Sequence, residues 1–301
     1  MILLDYERIT KVGEAIGKLG YQLFVNLDLK EPEYNCLKWL YQEKTNNPNI
    51  TLLTGLSAAI IDYQLGKGGA EVFWATLKLV LSKHKLKNLE DLKSALQEFL
   101  DQPINARLKN QKKTRIEKLL KSNLADKILQ EDFNKTISNP LLVWTEIAKA
   151  LQAPMDRKTI VFSMKVLDIV SLIVKGEYAN FPIRVPIPLN YHVTAMAIAS
   201  GIVKTEEISY EWNKVEKLQN QYHDKFLRAW EYTTEKASKI LEKDLSLLRL
   251  DSLVWQLSKT AKKHNFQKWK CQQIFEQYLT EAKANPQAAK QAAVELTYYM
   301  L

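Results

Sequence analysis

Apolar residues recur every three to four positions along most of the chain, the spacing that places them on one face of an α-helix. The pattern predicts helices over TLLTGLSAAIIDYQL (51–65), which we expect to end at Gly66, over LEDLKSALQEFL (89–100) and over LLVWTEIAKAL (141–151). Strands are not indicated, because no convincing run of alternating polar and apolar residues occurs. With only nine glycines and nine prolines in 301 residues, the sequence predicts an all-α fold with short connections.

A helix, a short turn and a second helix are predicted around residue 154. LLVWTEIAKALQ is followed by APMD and then by RKTIVFSMKVLDIVSLIVK, in which Lys158, Phe162 and Lys165 stand at i, i+4 and i+7 on one stripe. Two lysines beside an aromatic ring on a largely apolar helix indicate a polar cleft or a bound anion. The alternative is an exposed first turn at Lys158, a Lys165 side chain that extends to solvent, and Phe162 as ordinary core.

Two later segments place polar groups beside rigid or aromatic ones. In VPIPLN (185–190) the prolines fix an extended arm that ends at Asn190. This residue is either the N-terminal cap of the next helix or a side chain that the arm holds across a cleft from Lys158. In RLDSLVWQL, Asp251 and Trp255 share one helix face. The pair is either a hydrogen-bond acceptor beside a stacking surface, or a capping Asp and an ordinary core Trp.

The charge balance favours a polyanionic partner. The chain has 43 basic and 34 acidic residues, a net charge of +9 and a pI near 9.2. Seven basic residues and one acid lie within 105–121, and five lysines and no acid lie within 256–270. Both runs suit phosphate contacts, although solvated helix faces would give the same composition. The candidate phosphate contacts are Arg107, Lys109, Lys112, Lys113 and Arg115.

Membrane insertion, export and metal binding are not indicated. The start MILLDYERIT has an acid where a signal peptide needs positive charge, and the longest apolar stretch is interrupted by Lys165 and Asp168. Cys36 and Cys271 lie far apart with no CxxC, so neither a zinc site nor a disulfide framework is predicted. We expect a cytoplasmic protein.

Taken together, these segments resemble the archaeal GO glycosylases, a branch of the helix-hairpin-helix DNA glycosylase superfamily that removes 8-oxoguanine. The resemblance runs from about residue 54 to 258 and is most specific in KTIVFSMK and VPIP. It implies an all-α, two-lobed fold with the active site in the cleft between the lobes. The chain would form a single unit over 1–301, with one lobe at about 54–180 and the other built from 1–53 and 181–301.

The resemblance also implies a role for each matching residue. Lys158 matches the catalytic amine that attacks C1′ of the damaged nucleoside and forms a Schiff base. The flipped base would be held by two aromatic faces and three polar groups, which match Phe162, Trp255, Gln64, Lys165 and Asp251. The implied reaction is excision of 8-oxoguanine followed by β-elimination at the abasic site. It requires no cofactor or metal, and the implied partner of a monomeric protein is double- or single-stranded DNA containing 8-oxoguanine.

Asn190 departs from the family pattern. The family has an aspartate at this position, 32 residues after the catalytic lysine, and Asn190 stands 32 residues after Lys158. An amide keeps the shape but lacks the charge that stabilises a cationic sugar, so we expect impaired catalysis with retained recognition. The substitution could be deliberate, could mark a natural member with weakened chemistry, or could be offset by another carboxylate, Asp168 or Asp251. Alternatives are a non-catalytic binder of damaged DNA and a generic basic scaffold.

Overall fold

The computed structural model describes residues 2–179, 181–205 and 212–300. The helices of this part of the chain are α1 Tyr6–Lys18, α2 Tyr21–Asp28, α3 Pro32–Trp39, α4 Pro48–Ala59, α5 Gly69–Lys83, α6 Leu89–Leu100, α7 Lys109–Leu120, α8 Asn123–Gln130, α9 Phe133–Ser138, α10 Pro140–Leu151, α11 Lys158–Lys175, α12 Tyr191–Ala199, α13 Val215–Gln221, α14 His223–Leu241, α15 Leu247–Lys263, α16 Lys268–Glu281 and α17 Pro286–Leu296. A π-helical turn (Leu40–Thr45) and two 3₁₀ turns (Pro103–Asn105, Trp212–Lys214) complete the helical elements. The predicted all-α fold is confirmed.

A small antiparallel sheet accompanies the helices. Strand β1 (Ile2–Leu4) pairs with β2 (Val203–Thr205), with Leu3 opposite Lys204. Strands of three residues are too short to show the alternation that identifies a strand from sequence. None of the helices in the described residues has the length and apolar character needed to cross a membrane.

The chain divides into two compact units. Unit 1 consists of Met1–Asp28 and Pro182–Leu301, and unit 2 is the continuous segment Leu29–Phe181. Residues 29–53 carry no sequence motif that indicates their place in the fold. They belong to unit 2, which contains Lys158. The lobes expected from the sequence stay a prediction.

In unit 2, the buried helix α4 packs against α11. Every residue from Ile50 to Ala59 is buried, and Gly55 provides the close approach. A Cβ at Gly55 would lie 2.8 Å from Cγ1 of Val166, closer than carbon atoms pack without displacement. Val166 stands eight residues after the start of α11 and Gly55 four residues before the end of α4. The two helices therefore bring the C-terminal end of α4 to the N-terminal end of α11.

The segment after α4 corrects one expectation. The helix ends at Ala59 rather than continuing to residue 65, and Gly66 does not adopt the left-handed conformation. Instead, Gln64 does so, with φ 47°, and Gly68 with φ 99° precedes α5. The apolar periodicity continues past Ala59 because Ile60 and Ile61 are buried in a non-helical turn. Asp62 consequently lies in a connection and not on a helix face.

The predicted hairpin is confirmed in unit 2. Asn139 caps α10 by accepting a hydrogen bond from Leu142 N (3.4 Å), and the helix ends at Leu151. The connection is fixed by Trp144, whose Nε1 donates to the carbonyl of Met155 at 2.9 Å. The next helix, α11, begins at Lys158.

In unit 1, α1 packs closely against α14. A Cβ at Gly13 would lie 2.5 Å from Cβ of Lys236 and 2.7 Å from the carbonyl oxygen of Thr233, so only glycine fits here. Further along unit 1, Trp230 of α14 donates from Nε1 to the carbonyl of Val193 in α12 at 3.2 Å. These contacts hold α12, the helix that follows the proline-rich arm, against the core of unit 1.

Candidate active site

Lys158 is the half-buried first residue of α11, in unit 2. Its Nζ donates a hydrogen bond to the main-chain carbonyl of Asp62 at 3.4 Å. This contact follows from the packing of α4 on α11, which places the residues just after α4 beside the first turn of α11. The amine is thus held at the surface of unit 2 rather than extended freely into solvent.

The side chain of Asp62 is also buried, with 7% of the residue exposed. Its Oδ2 accepts a hydrogen bond from Nε1 of Trp74 at 3.2 Å. Burial raises the pKa of Asp62, and the ammonium of Lys158, the Trp74 hydrogen bond and the ammonium groups of Lys112 and Lys165 act in the opposite direction. A carboxylate that is hydrogen-bonded and surrounded by cations therefore lies next to the candidate nucleophile.

Phe162 and Lys165 lie on the same stripe of α11 as Lys158, as predicted. From Thr159 to Ser171, Phe162 is the one residue that is not buried, so its ring is accessible on an otherwise enclosed helix. Lys165 lies with its Nζ 5.9 Å from the centroid of that ring. The alternative in which Lys165 extends to solvent is wrong, because this residue is only 3% exposed.

Two glutamates hold the Lys165 ammonium inside unit 2. Its Nζ lies 3.3 Å from Oε1 of Glu31 and 3.7 Å from Oε1 of Glu33. Burial, together with the neighbouring charge of Glu31, raises the pKa of Glu33 well above its ordinary value, and Lys165 offsets only part of this effect. Glu33 therefore keeps its proton to a higher pH than an exposed glutamate, and Glu31 is the closer counter-ion of Lys165.

Arg115 of α7 connects the segment that follows α4 to the first turn of α11. Its Nε donates to the carbonyl of Ile60 at 2.8 Å, and its Nη2 donates to Oγ1 of Thr159 at 2.7 Å. Tyr63 packs beside it, with its ring centroid 5.7 Å from the guanidinium carbon and its hydroxyl bonded to Gln111. Arg115 is half-buried and engaged in structural contacts, so a direct phosphate contact stays a prediction.

The other basic candidates differ in exposure. Arg107, Lys109 and Lys113 are exposed, and Lys109 forms an ion pair of 2.8 Å with Asp101. Lys112 is fully buried, and its Nζ donates to Oδ1 of Asn105 at 3.1 Å. A phosphate contact from Lys112 stays a prediction, which the enclosed position of its ammonium does not favour. Burial lowers the pKa of Lys112 to about 8, although the charge of Asp62 opposes this shift.

Gln64 of the same unit lies in the connection between α4 and α5. Its side chain is exposed and its backbone is left-handed. A role in base recognition remains a prediction for this residue.

In unit 1, Asn190 is the N-terminal cap of α12. Its Oδ1 accepts hydrogen bonds from His192 N (2.8 Å) and Val193 N (3.2 Å), and its Nδ2 donates to the carbonyl of Pro188 (3.0 Å). The capping interpretation is confirmed. Capping does not exclude a second role for this position, because an aspartate there would accept the same two N–H hydrogen bonds.

Trp255 and Asp251 lie on α15 in unit 1. Asp251 is 3% exposed, whereas Trp255 is half-buried. The Trp255 ring meets the His192 ring edge-on at 6.1 Å between centroids, and Lys259 Nζ lies 5.0 Å from the Trp255 ring centroid. Because His192 Nδ1 also lies 3.2 Å from Oγ of Ser258, the start of α12 and the middle of α15 form one aromatic and basic surface.

This surface continues to Tyr191. Lys262 Nζ lies 4.2 Å from the Tyr191 ring centroid. Two lysines of the predicted basic run therefore lie over aromatic rings, next to the residue that caps α12. Such a combination of cations and ring faces is typical of nucleic-acid contacts.

Three buried acids of unit 2 were missed from the sequence: Glu31, Glu33 and Asp62. The one available sign of this burial concerned Asp62, which directly follows an apolar run from residue 50 to residue 61 that contains no charged residue. Among the described residues, no group of three or more His, Cys, Asp or Glu side chains is arranged to hold a metal ion.

Comparison with known proteins agrees with these assignments of fold. The family model AGOG, N-glycosylase/DNA lyase, matches residues 13–291. A protein named N-glycosylase/DNA lyase from Thermococcus kodakarensis is 27% identical over 211 residues, covering 69% of this chain and 77% of the relative. One of the same name from Methanococcus maripaludis is 27% identical over 220 residues, covering 71% and 82%.

A solved structure has the same fold. The crystal structure of 8-oxoguanosine-complexed Pa-AGOG, the 8-oxoguanine DNA glycosylase from Pyrobaculum aerophilum, matches with a TM-score of 0.66. Its sequence is 18% identical, and the match covers 85% of this chain and 90% of that chain.

Proposed function

The chain belongs to the N-glycosylase/DNA lyase family, and on that premise we propose that it excises 8-oxoguanine from DNA and cleaves the abasic site through a Schiff base on Lys158. The observation that carries the proposal is the position of Lys158, a half-buried amine that opens the second helix of the hairpin. The Pyrobaculum aerophilum protein of the same fold is an 8-oxoguanine DNA glycosylase complexed with 8-oxoguanosine, which supports this base as the substrate.

The proposed chemistry needs an unprotonated amine and a stabilised cation. The nitrogen lone pair of Lys158 attacks C1′, the C1′–N9 bond breaks, and its electron pair leaves with the base, which takes up a proton as the new ammonium gives one up. The nitrogen lone pair then breaks the C1′–O4′ bond, O4′ takes up a proton from water, and an iminium ion forms between Nζ and C1′. Loss of a 2′ proton with cleavage of the C3′–O bond completes the β-elimination, and water releases the amine. Positive charge therefore develops on Nζ during the attack and again in the iminium ion.

We assign recognition of the flipped base to the residues that match the family pattern. Phe162 and Trp255 supply aromatic faces, which stack on any base, while Gln64, Lys165 and Asp251 supply polar groups that distinguish one base from another. Phe162 is the one residue between Thr159 and Ser171 that is not buried, which supports its part in this assignment. DNA, single- or double-stranded, is the proposed partner, with phosphate contacts from Arg107, Lys109, Lys113 and Arg115.

Borohydride trapping on a duplex that contains 8-oxoguanine tests the proposal. We expect a covalent protein–DNA adduct that is abolished in Lys158→Ala. The matched control is Lys175→Ala, which removes an exposed lysine at the opposite end of the same helix and should leave the adduct yield unchanged. An adduct that persists in Lys158→Ala would refute the assigned nucleophile.

A second function, selective binding of damaged DNA without turnover, is favoured by one observation. Asn190 carries no charge, and its amide is committed to three hydrogen bonds with the backbone. This function predicts tight and selective binding of the 8-oxoguanine duplex together with no adduct. It would also predict that Asn190→Asp introduces an adduct that the unmodified chain does not form.

A further inference from the structure

We propose that Asp62 supplies, next to Lys158, the negative charge that Asn190 lacks, and so acts as a positioning residue for the catalytic amine. The inference rests on the function proposed above. It concerns unit 2 alone, and it explains how a chain with an amide at the family's aspartate position can retain amine chemistry.

The geometry brings Asp62 and Lys158 together by helix packing. Because Gly55 lets α4 approach α11 closely, the connection after α4 meets the first turn of α11. The Lys158 Nζ is hydrogen-bonded to the Asp62 carbonyl at 3.4 Å. The carboxylate of the same residue is fixed separately by Trp74 through Oδ2. Asp62 thus holds the amine through its main-chain carbonyl, while the carboxylate of the same residue is buried and fixed in orientation by Trp74.

Three cationic groups act on this carboxylate, and the carboxylate acts on one further titratable group. Lys158 and Lys165 of α11 and Lys112 of α7 are cationic neighbours that lower the pKa of Asp62, whereas burial raises it. The charge of Asp62 in turn raises the pKa of Glu33, after burial and the charge of Glu31. Glu33 is protonated more readily than an exposed glutamate, and Asp62 is the member of this group that is hydrogen-bonded to Lys158.

The other acids weighed from the sequence are less suited to this role. Asp168 accepts a hydrogen bond from Ala179 N at 2.7 Å, which fixes it at the segment following the C-terminal end of α11. It lies ten residues from Lys158 on the same helix, about 80° away around the axis at 3.6 residues per turn. Asp251 belongs to unit 1 and is assigned to the base. Asp62 is the buried acid whose own main-chain carbonyl accepts a hydrogen bond from Lys158.

The role that follows is electrostatic and involves no covalent step. A negative charge fixed near Nζ stabilises the cationic nitrogen that forms on attack and the iminium ion that follows, and it costs no reorganisation because Trp74 already orients it. In an environment with little water such a charge is worth more than at the surface. Removal of the charge should therefore slow imine formation while leaving DNA affinity unchanged.

The experiment measures the rate of borohydride trapping on a duplex that already contains an abasic site, so that base recognition is bypassed. Asp62→Asn removes the charge and keeps the acceptor for Trp74, and Asp62→Glu keeps the charge. Asp126→Asn, an exposed Asp of α8 in the same unit, is the matched control. We expect Asp62→Asn to be slower by about a hundredfold at alkaline pH, and Asp62→Glu and the control to remain close to the unmodified chain.

The pH dependence separates this role from a structural one. Asp62 loses its charge as the pH falls through its raised pKa, whereas asparagine is neutral throughout. The ratio of the two rates should therefore approach one as the pH falls below the raised pKa of Asp62 and widen as the pH rises above it. A purely structural defect would give a constant ratio.

The outcomes distinguish this inference from the function on which it rests. A normal trapping rate in Asp62→Asn, or a reduced rate with a ratio that does not change with pH, would overturn the role of Asp62 and leave the lyase function standing. If the unmodified chain and the Asn190→Asp variant both form no adduct, the lyase function fails and the inference fails with it. An adduct that only Asn190→Asp forms shows that Asp62 does not supply the missing charge.

Discussion

Arg115 donates a hydrogen bond of 2.7 Å to Thr159, the residue that directly follows Lys158. The same guanidinium donates to Ile60, two residues before Asp62. One side chain of α7 therefore fixes both the segment after α4 and the first turn of α11. The positions of the amine and of the carboxylate beside it depend on a residue that need not touch DNA.

Replacement of Arg115 by methionine should lower the trapping rate about tenfold or more, because loss of the planar fork lets the first turn of α11 shift relative to Asp62. The unfolding free energy should fall by about 1–3 kcal/mol, since two buried acceptors lose their donor. Single-turnover trapping and urea denaturation measure the two effects. Arg107→Met, an exposed change on the same segment, should leave the single-turnover rate at saturating DNA intact. Equal rates for both variants would contradict the positioning role.

The exposed members of the basic segment should act through phosphate. We expect Arg107→Gln and Lys113→Gln each to weaken DNA binding on all sequences alike and to reduce the slope of log K against log salt by about one. Fluorescence anisotropy at several salt concentrations measures this slope. Lys112→Gln should leave the slope unchanged, because that ammonium is enclosed. A reduced slope in Lys112→Gln would show that the side chain reaches the DNA after all.

Lys112 should make the stability of the protein depend on alkaline pH. Its folded-state pKa of about 8 lies below its ordinary value of 10.5, so the unfolded chain binds the proton more tightly between these two values. Below about pH 8 Lys112 is protonated in both the folded and the unfolded state, and burial of its ammonium destabilises the folded state to the full extent. As the pH rises toward 10.5 the buried amine loses its proton and this destabilisation disappears. Urea denaturation of the unmodified chain and of Lys112→Met should show the unmodified chain gaining stability relative to the variant over this interval. A difference independent of pH would contradict the lowered pKa.

The two aromatic candidates should act on base selectivity indirectly, by holding the flipped base. Phe162→Ala and Trp255→Ala should each reduce the preference for 8-oxoguanine over guanine, because a base that loses about 1–3 kcal/mol of stacking is no longer held for the polar groups to distinguish. Competition binding between matched duplexes measures the preference. Trp269→Ala removes an exposed aromatic residue of α16 and should affect both duplexes alike. Unchanged selectivity in Phe162→Ala and Trp255→Ala would instead favour a generic basic scaffold.

Local sequence patterns predicted those structural features that depend on residues close together in the chain. The helix at 89–100, the hairpin with Lys158 at the start of its second helix, and the cap at Asn190 all follow from periodicity, proline and capping residues, and the structure confirms them. These features are set within a few residues of chain. Short sequence segments therefore suffice to locate them.

Burial of charge could not be predicted in the same way. Asp62, Glu31 and Glu33 lie inside unit 2 because of helices that pack from elsewhere in the chain, and acids are assumed to be exposed unless a partner is known. The burial of Lys112 was not apparent because this residue stands among exposed basic residues in the sequence. Its spacing to Ile116 and Leu119, at i+4 and i+7, places it on the apolar stripe of α7 and was the available sign of its burial.

The division of unit 1 into two sequence segments has a consequence for synthesis. Gly13 of α1 packs against Lys236 of α14, a residue that the ribosome adds 223 positions later. Unit 2, by contrast, is continuous and has all of its residues available by position 181. We therefore expect unit 2 to fold first on the ribosome, while the apolar face of α1 stays exposed until α14 emerges. We expect this face to make the nascent chain prone to aggregate during that interval.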